Sequence, residues 1–249
     1  MSDDPTLLAE RVILITGAGG GIGSEVARAA AAAGASCVLL GRSSDKLNQT
    51  YDAIVAAGDP EPALFPLDLT KAGEIDYQRL IHGIDTDFGR LDGLVHLATR
   101  FDGLMPLTSQ TVQDWQRTMH VNVTAAFALT QSCLPLLTAA ADASVLFAAD
   151  RRGARKAFWG AYAASKNALM AMARLLALEH AQNRQLRFNA IDPGPTATAL
   201  RRSAFPSDDP AAQPAAAIAG LFVHCLGPAT QGINGQLLNA DGERQDIDY

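Results

Sequence analysis

One stretch limits the fold of this chain more than any other: "VILITGAGGGIGSEVARAAAAAGA", residues 12–35. An unbroken apolar run enters a glycine-rich turn, and an alanine-rich helical segment ended by Gly34 leaves it. A strand that is apolar on both faces belongs inside a parallel sheet, where helices cover it above and below. The alternation continues along the chain. "SCVLLGR", "PALFPLD", "LDGLVHLAT", "SVLFAA", "LRFNAID" and "GQLLNAD" read as six further strands, with amphipathic helical stretches between them.

Strands alternating with helices through right-handed crossovers predict an α/β fold of the Rossmann-like, doubly wound kind. A mostly parallel seven-stranded sheet carries helices on both faces, with the ligand crevice at the carboxyl ends of the strands. No internal repeat, linker or shift in composition divides residues 1–249, so one dinucleotide-binding domain is expected. With 48% apolar and 18% charged residues the chain can bury a large core. A net charge of −6 argues against a nucleic-acid surface, and the short cluster Arg151, Arg152, Arg155 and Lys156 reads as a solvated loop.

No segment approaches the ~18 consecutive apolar residues of a membrane span, so neither membrane nor nucleic acid is an expected partner. Cys37, Cys133 and Cys225 lie far apart, without metal-ligand spacing, and suit a reducing compartment. The acidic N-terminus "MSDDPTLLAER" lacks the pattern of a signal peptide. A cytoplasmic location is the expectation.

The glycines of the first turn have separate tasks. Gly17 permits the tight turn, Gly21 lets a ligand approach the backbone, and Gly23 lets helix and sheet pack. The helix that opens at Gly21 and Ile22 turns its free N–H groups and positive dipole end toward a pyrophosphate. At the end of the second strand stand Gly41 and Arg42 instead of an acidic residue. An acid would bind an adenosine ribose and repel a 2′-phosphate; Arg42 can grip that phosphate, with Ser43 adding a hydroxyl and Lys46 a charge. NADP(H) is therefore preferred over NAD(H), a surface arginine starting a helix being the plain alternative.

Farther on, "YAASK" places Tyr162 and Lys166 at i and i+4, on one face of a long helix. A nearby ammonium favours a phenolate, which would bring the tyrosine into range for proton transfer. Thr16-Gly17-x-x-x-Gly21-Ile22-Gly23 together with Tyr162-x-x-x-Lys166 resembles the short-chain dehydrogenase/reductases. "DLT" at Asp68–Thr70, Asn122 in "HVNVTA" and "NAIDPGPTAT" at Asn189–Thr198 extend the resemblance over essentially the whole chain. "WGAYAASK" and "ALRRSAFPSDDP" are similar to the bacterial YciK-type subgroup. The resemblance implies that Tyr162 is the general acid/base, that Lys166 lowers its pKa and holds the nicotinamide ribose, and that Asn122 anchors a proton-relay water chain. It also implies that Asp68 and Leu69 flank the adenine, that Pro193 and Gly194 line the nicotinamide end, and that Thr198 holds the carboxamide.

Two stretches depart from the family pattern. The serine expected thirteen residues before Tyr162 is Ala149, and losing such a donor typically costs on the order of 10²–10³ in rate. Asp150, as a carboxylate, has no proton to give and would raise the tyrosine pKa; it helps only if held protonated or if it orients a water. Pairing with Arg151 or Arg152 would favour its ionised form. Ser144 lies too far back along the strand, and Ser165 lies off the Tyr162 face. At the fourth strand, His96-Leu97-Ala98-Thr99 stands where the subgroup has His-Asn-Ala-Gly.

The proline-rich segment after Gly194 corresponds to a lid over the substrate. Arg201 and Arg202 are helix-end charges within reach of an acidic substrate. Phe101, Met105, Trp159 and Phe205 are candidate pocket walls. Exposed apolar side chains such as Met170 and Met172, with the family's habit of pairing these helices, imply a homodimer or homotetramer. The function expected is an NADP(H)-dependent oxidoreductase interconverting a carbonyl and an alcohol on a small molecule. A catalytically impaired relative, serving as a nucleotide-binding sensor or assembly partner, is the alternative.

Overall fold

β1 (Val12–Thr16) passes through the glycine turn into α1 (Gly21–Ala32), and the alternation begins there. The structure, a computed structural model, describes residues 4–204 and 211–247. Next come β2 (Ser36–Gly41), α2 (Ser44–Ala57), β3 (Ala63–Pro66), α3 (Glu74–Phe88) and β4 (Gly93–His96). One helical run follows, made of α4 (Val112–Met119), a π-helical turn at His120–Thr124, and α5 (Ala125–Ala139). β5 (Ala143–Ala148), α6 (Gly160–Glu179) and β6 (Leu186–Ile191) complete the second half of the fold. After β6 come β7 (Thr196–Ala197), α7 (Ala199–Ala204) and β8 (Gln213–Pro214), and α8 (Ala215–Leu226), β9 (Gln236–Leu238) and β10 (Arg244–Asp246) follow.

The central sheet runs β10-β9-β6-β5-β4-β1-β2-β3. All seven expected strands are present and pair in parallel, as a doubly wound sheet requires. The eighth, β10, pairs antiparallel with β9, so the sheet has eight strands rather than seven. "RQD" has no apolar pattern to announce a strand; the turn at Asp241–Gly242, with Gly242 at φ 79°, folds it back onto the edge. Strand order reverses about β1, which pairs with β2 on one side and β4 on the other, and this opens the crevice above its carboxyl end.

Alternate residues of each strand feed two cores. Val12 and Leu14 pack with Leu94, Val145 and the helices α3, α5 and α6, whereas Ile13 and Ile15 pack with Leu39, Val95 and the helices α1 and α8. Met170 belongs to the first core and Met172 packs against it, so neither forms the exposed face expected of them. Phe127 on α5 and Leu175 and Leu178 on α6 face solvent instead. By length and composition alone the run Val112–Ala139 would cross a membrane. It packs against α3, α6, β4 and β5, as a helix of this fold.

At the opposite edge from the crevice, Asp142 receives hydrogen bonds from the guanidinium groups of both Arg11 and Arg187. Arg187 is 1% exposed, and its Nη2 also donates to the Gly227 carbonyl at 3.3 Å. The cluster ties the starts of β1, β5 and β6 to the end of α8. Asp142→Ala leaves that arginine charge buried without its carboxylate, so a loss of about 3–5 kcal/mol is expected. A urea titration checks this; an unchanged midpoint would show that water or the backbone carbonyls carry the charge alone.

Candidate active site

The glycine turn is built by close approach. Gly17 has φ 72°, and a Cβ there would lie 2.8 Å from the Ala98 amide nitrogen; at Gly23 it would lie 2.2 Å from the Gly17 carbonyl oxygen. Gly21 opens α1 at φ 57°, and its nearest neighbour from another element is the Thr198 methyl, 3.5 Å from where a Cβ would stand. The N-cap of α1 is Gly20, which has no side chain to bond the first-turn N–H groups. These amides border a cleft of about 520 Å³, along which Gly17, Gly21, Ile22 and Gly23 lie on one side and Pro193, Gly194 and Thr198 on the other.

At one end the cleft meets Arg42, Ser43 and Lys46. Ser43 is the N-cap of α2, accepting from the Lys46 N–H at 3.4 Å. Arg42 is exposed, and its guanidinium has no hydrogen-bond or ion-pair partner among the described residues. A second cavity of about 410 Å³ adjoins there and adds Asp68 and Leu69 to the walls. Burial opposes ionisation of Asp68, but the Thr70 N–H at 3.0 Å and hydroxyl at 2.8 Å hold its carboxyl below the usual value, with Arg42 adding to the effect.

The other end holds Tyr162 and Lys166, both buried on α6. Lys166 Nζ donates to the Thr99 hydroxyl at 3.1 Å and to the Ala148 carbonyl at 2.8 Å. The residue that departs from the expected glycine therefore holds the lysine, a contact invisible from its place in the sequence. Burial lowers the lysine pKa from 10.5 to about 8, against the raising influence of Asp150 and Asp192. Asn122 sits in the π-helical turn, where Oδ1 accepts from the Arg100 N–H at 2.7 Å. Its Nδ2 donates to the Arg100 carbonyl at 3.0 Å and the Ser165 hydroxyl at 2.9 Å. The Asn122 side chain is thus engaged in tying α5 to α6 and to the loop after β4. Ser165 is spent on that link, and Ser144 donates to the Cys225 carbonyl deep in the core; neither replaces the missing serine.

Ala149 lines the cleft with a methyl group, 2% exposed. Next to it, Asp150 turns toward the tyrosine: Oδ2 accepts from the Tyr162 hydroxyl at 3.1 Å and Oδ1 from the Gly153 N–H at 2.6 Å. Among the described residues it pairs with neither Arg151 nor Arg152. Arg151 bonds Gln245, and its N–H donates to Asp192 at 3.0 Å. Burial, then the charge and hydrogen bond of Asp150, then Asp192 push the Tyr162 phenol well above its ordinary value, and Arg201 opposes them. The ammonium of Lys166, 5.5 Å from the ring centroid, does not reverse this, so the lowered tyrosine pKa expected from the i, i+4 spacing is not what this arrangement produces.

Phe101 and Trp159 surround Tyr162, with centroid separations from it of 5.2 and 5.3 Å. Both stand where pocket walls were expected. Met105 is half-buried and lies away from both cavities, Arg202 also lies outside the cleft, and Phe205 lies outside the described residues. Arg201 lines the cleft from α7, whose first N–H groups Thr198 caps through an Arg201 N–H bond of 3.1 Å. The structural role of Thr16 was not anticipated: its hydroxyl accepts from the Leu97 and Ala98 N–H groups at 3.0 and 3.1 Å and ties the end of β1 to the loop after β4. A buried threonine at a strand end beside the glycine turn was the signal.

A parallel sheet with a glycine turn at its switch point and a Tyr–Lys pair across the cleft define a dinucleotide-binding oxidoreductase architecture. The chain belongs to the short chain dehydrogenase family, whose model matches residues 11–209. It is 44% identical to the oxidoreductase YciK of Escherichia coli K12 over 205 residues, 82% of this chain and 81% of that one. A short chain dehydrogenase structure from Pseudomonas syringae superposes with a TM-score of 0.93 at 42% identity, covering 96% of this chain and 98% of the other. One from Shigella flexneri, complexed with NADP, gives 0.91 at 40% identity, covering 95% and 99%. The bare glycine turn, the uncapped start of α1 and the cations at one end of the cleft fit a nicotinamide dinucleotide.

Lys166 supplies a stability test. An unfolded lysine keeps its proton up to about 10.5, whereas the folded one sheds it near 8, so wild type gains stability between those values as pH rises. Lys166→Met lacks that gain. Melting temperatures of both proteins across the window are expected to shift in favour of wild type with rising pH; a pH-independent difference would show that the lysine is not desolvated.

Proposed function

We propose that this protein is an NADP(H)-dependent oxidoreductase interconverting a carbonyl and an alcohol on a small molecule. The observation that carries this is the convergence of Tyr162 and Lys166 on the same cleft as the glycine turn. NADP selectivity is supported by Arg42, exposed beside Ser43 and Lys46 with no acid closing β2, and by the NADP and NADPH complexes of two relatives. Gly17, Gly21, Ile22 and Gly23 hold the pyrophosphate, Asp68 and Leu69 flank the adenine, and Pro193, Gly194 and Thr198 border the nicotinamide. The bound cofactor gives or takes the hydride.

In the reducing direction the Tyr162 O–H bond breaks, and its proton goes to the substrate oxygen as the carbonyl carbon gains hydride. A phenol with a raised pKa is protonated at neutral pH, which suits it to that direction. Lys166, held by Thr99 and Ala148, lies behind the ring to stabilise the phenolate left after transfer. Asn122 keeps α5, α6 and the β4 loop in register around the pair. With Ala149 giving no hydrogen bond, Tyr162 bears the oxygen's charge without that help, and turnover of neutral ketones is slow. The exposed Phe127, Leu175 and Leu178 support self-association as a homodimer or homotetramer.

Reduction of a panel of ketones and aldehydes, followed by NADPH absorbance, tests this function. Tyr162→Phe is expected to lower kcat by at least about 100-fold while NADPH affinity is kept; equal rates would remove Tyr162 from the chemistry. Ala149→Ser restores a hydroxyl at the reacting end and is expected to raise kcat/KM for neutral ketones at least about tenfold. An unchanged rate would show that the hydroxyl there does not reach the reacting oxygen.

A further inference from the structure

Asp150 is the one acidic residue among the described residues that line the cleft holding Tyr162 and the glycine turn. The cations Arg42 and Lys46 belong to the far end. At the reacting end the neutral donor expected of the site is replaced by the Ala149 methyl, with a half-buried carboxylate beside it. A carboxylate offers only lone pairs. It repels the oxygen of a neutral carbonyl and attracts a positively charged N–H donor. Asp150 Oδ2 already accepts one bond from Tyr162 and has room for another, while Oδ1 is anchored by Gly153.

Aromatic rings complete the setting. Phe101, Trp159 and Tyr162 form a cluster with centroid separations of 5.2–5.4 Å, and Trp159 shares the cleft with Asp150. Aromatic faces beside a carboxylate are a favourable environment for an ammonium ion. The other charged groups near the tyrosine are accounted for. Asp192 is bonded to the Arg151 and Gly194 N–H groups and is not a cleft wall; Lys166 is held by Thr99 and Ala148; Arg201 lines the lid side.

We propose that the substrate carries a protonated amine on the carbon next to the reacting one, as a vicinal amino alcohol or amino ketone, and that Asp150 binds this ammonium while Tyr162 meets the oxygen. The spacing sets the class. Asp150 Oδ2 and Tyr162 Oη are 3.1 Å apart, so two partners at ordinary hydrogen-bond length can sit as close as roughly 3 Å to one another, a separation that vicinal nitrogen and oxygen can span. Capture of the ammonium also draws the carboxylate's charge from Tyr162, freeing its hydroxyl for the substrate. The substrate class rests on the oxidoreductase function proposed above.

The test is calorimetric binding of 2-amino-1-phenylethanol and of its uncharged isostere 1-phenylethane-1,2-diol to the NADP⁺-loaded protein near neutral pH. The amine is expected to bind at least about tenfold more tightly than the diol, as a charge-assisted bond implies. Asp150→Asn keeps the oxygen that accepts from Gly153, and it is expected to bring the affinity ratio to about one. Equal affinities in wild type, failure of both probes to bind, or a preference that survives in Asp150→Asn would each overturn the proposal. Oxidation of the same probes, followed by nicotinamide absorbance, separates the two claims. Oxidation of the diol without preference for the amine sinks the Asp150 assignment and leaves the oxidoreductase standing. Asp150-dependent binding of the amine with neither probe oxidised supports the ammonium site and counts against the redox function.

Discussion

Gly23 lies so close beneath Gly17 that a methyl group on it would stand 2.2 Å from the Gly17 carbonyl oxygen, a separation no side chain can occupy. Because both residues are bare, β1 can turn into α1 within a few residues, and α1 can lie down on the sheet at its switch point. Gly17 in turn lies against the Ala98 backbone, where Thr16 ties the end of β1 to the loop after β4. That loop continues to Thr99, which holds Lys166, and to Arg100, which Asn122 brackets from both sides. The two ends of the cleft are therefore built from one turn outward, and Lys166 and Asn122 are anchored by contacts that begin at that turn.

The electrostatics of the reacting end follow from burial combined with an acid. Lys166 is 3% exposed and brought down to about 8, while Tyr162 is pushed up by the same burial and by Asp150. In a low-dielectric site each group moves toward its neutral form. The cleft thus joins a cationic end, suited to phosphate, to an end where a carboxylate and aromatic rings replace the neutral donor of the family pattern.

Much of this was legible in the residues because it depends on local chemistry. The glycine spacing, the seven parallel strands and the Tyr–Lys pair each follow from a pattern a few residues long. What escaped depends on long-range placement. β10 owes its existence to an edge left open by β9 and carries no apolar signature of its own. Thr99 stood out in the sequence only as a departure from the subgroup's glycine, yet the fold brings Lys166 to its hydroxyl from sixty-seven residues away. Met170 faces the core because the helical phase of α6 is set by its packing on the sheet, whereas Leu175 and Leu178 face solvent. The tyrosine pKa could not be read from its spacing to Lys166, since burial and Asp150 push it upward.

The most direct measurement is a fluorescence titration of the purified wild-type protein with NADPH and, separately, with NADH. Saturable binding of NADPH, tighter than that of NADH, is the result expected if the glycine turn and Arg42 form the two anchor points of a dinucleotide. Binding of neither cofactor would contradict the account at its root, because the cleft from which every other assignment is built would then not be a nucleotide site.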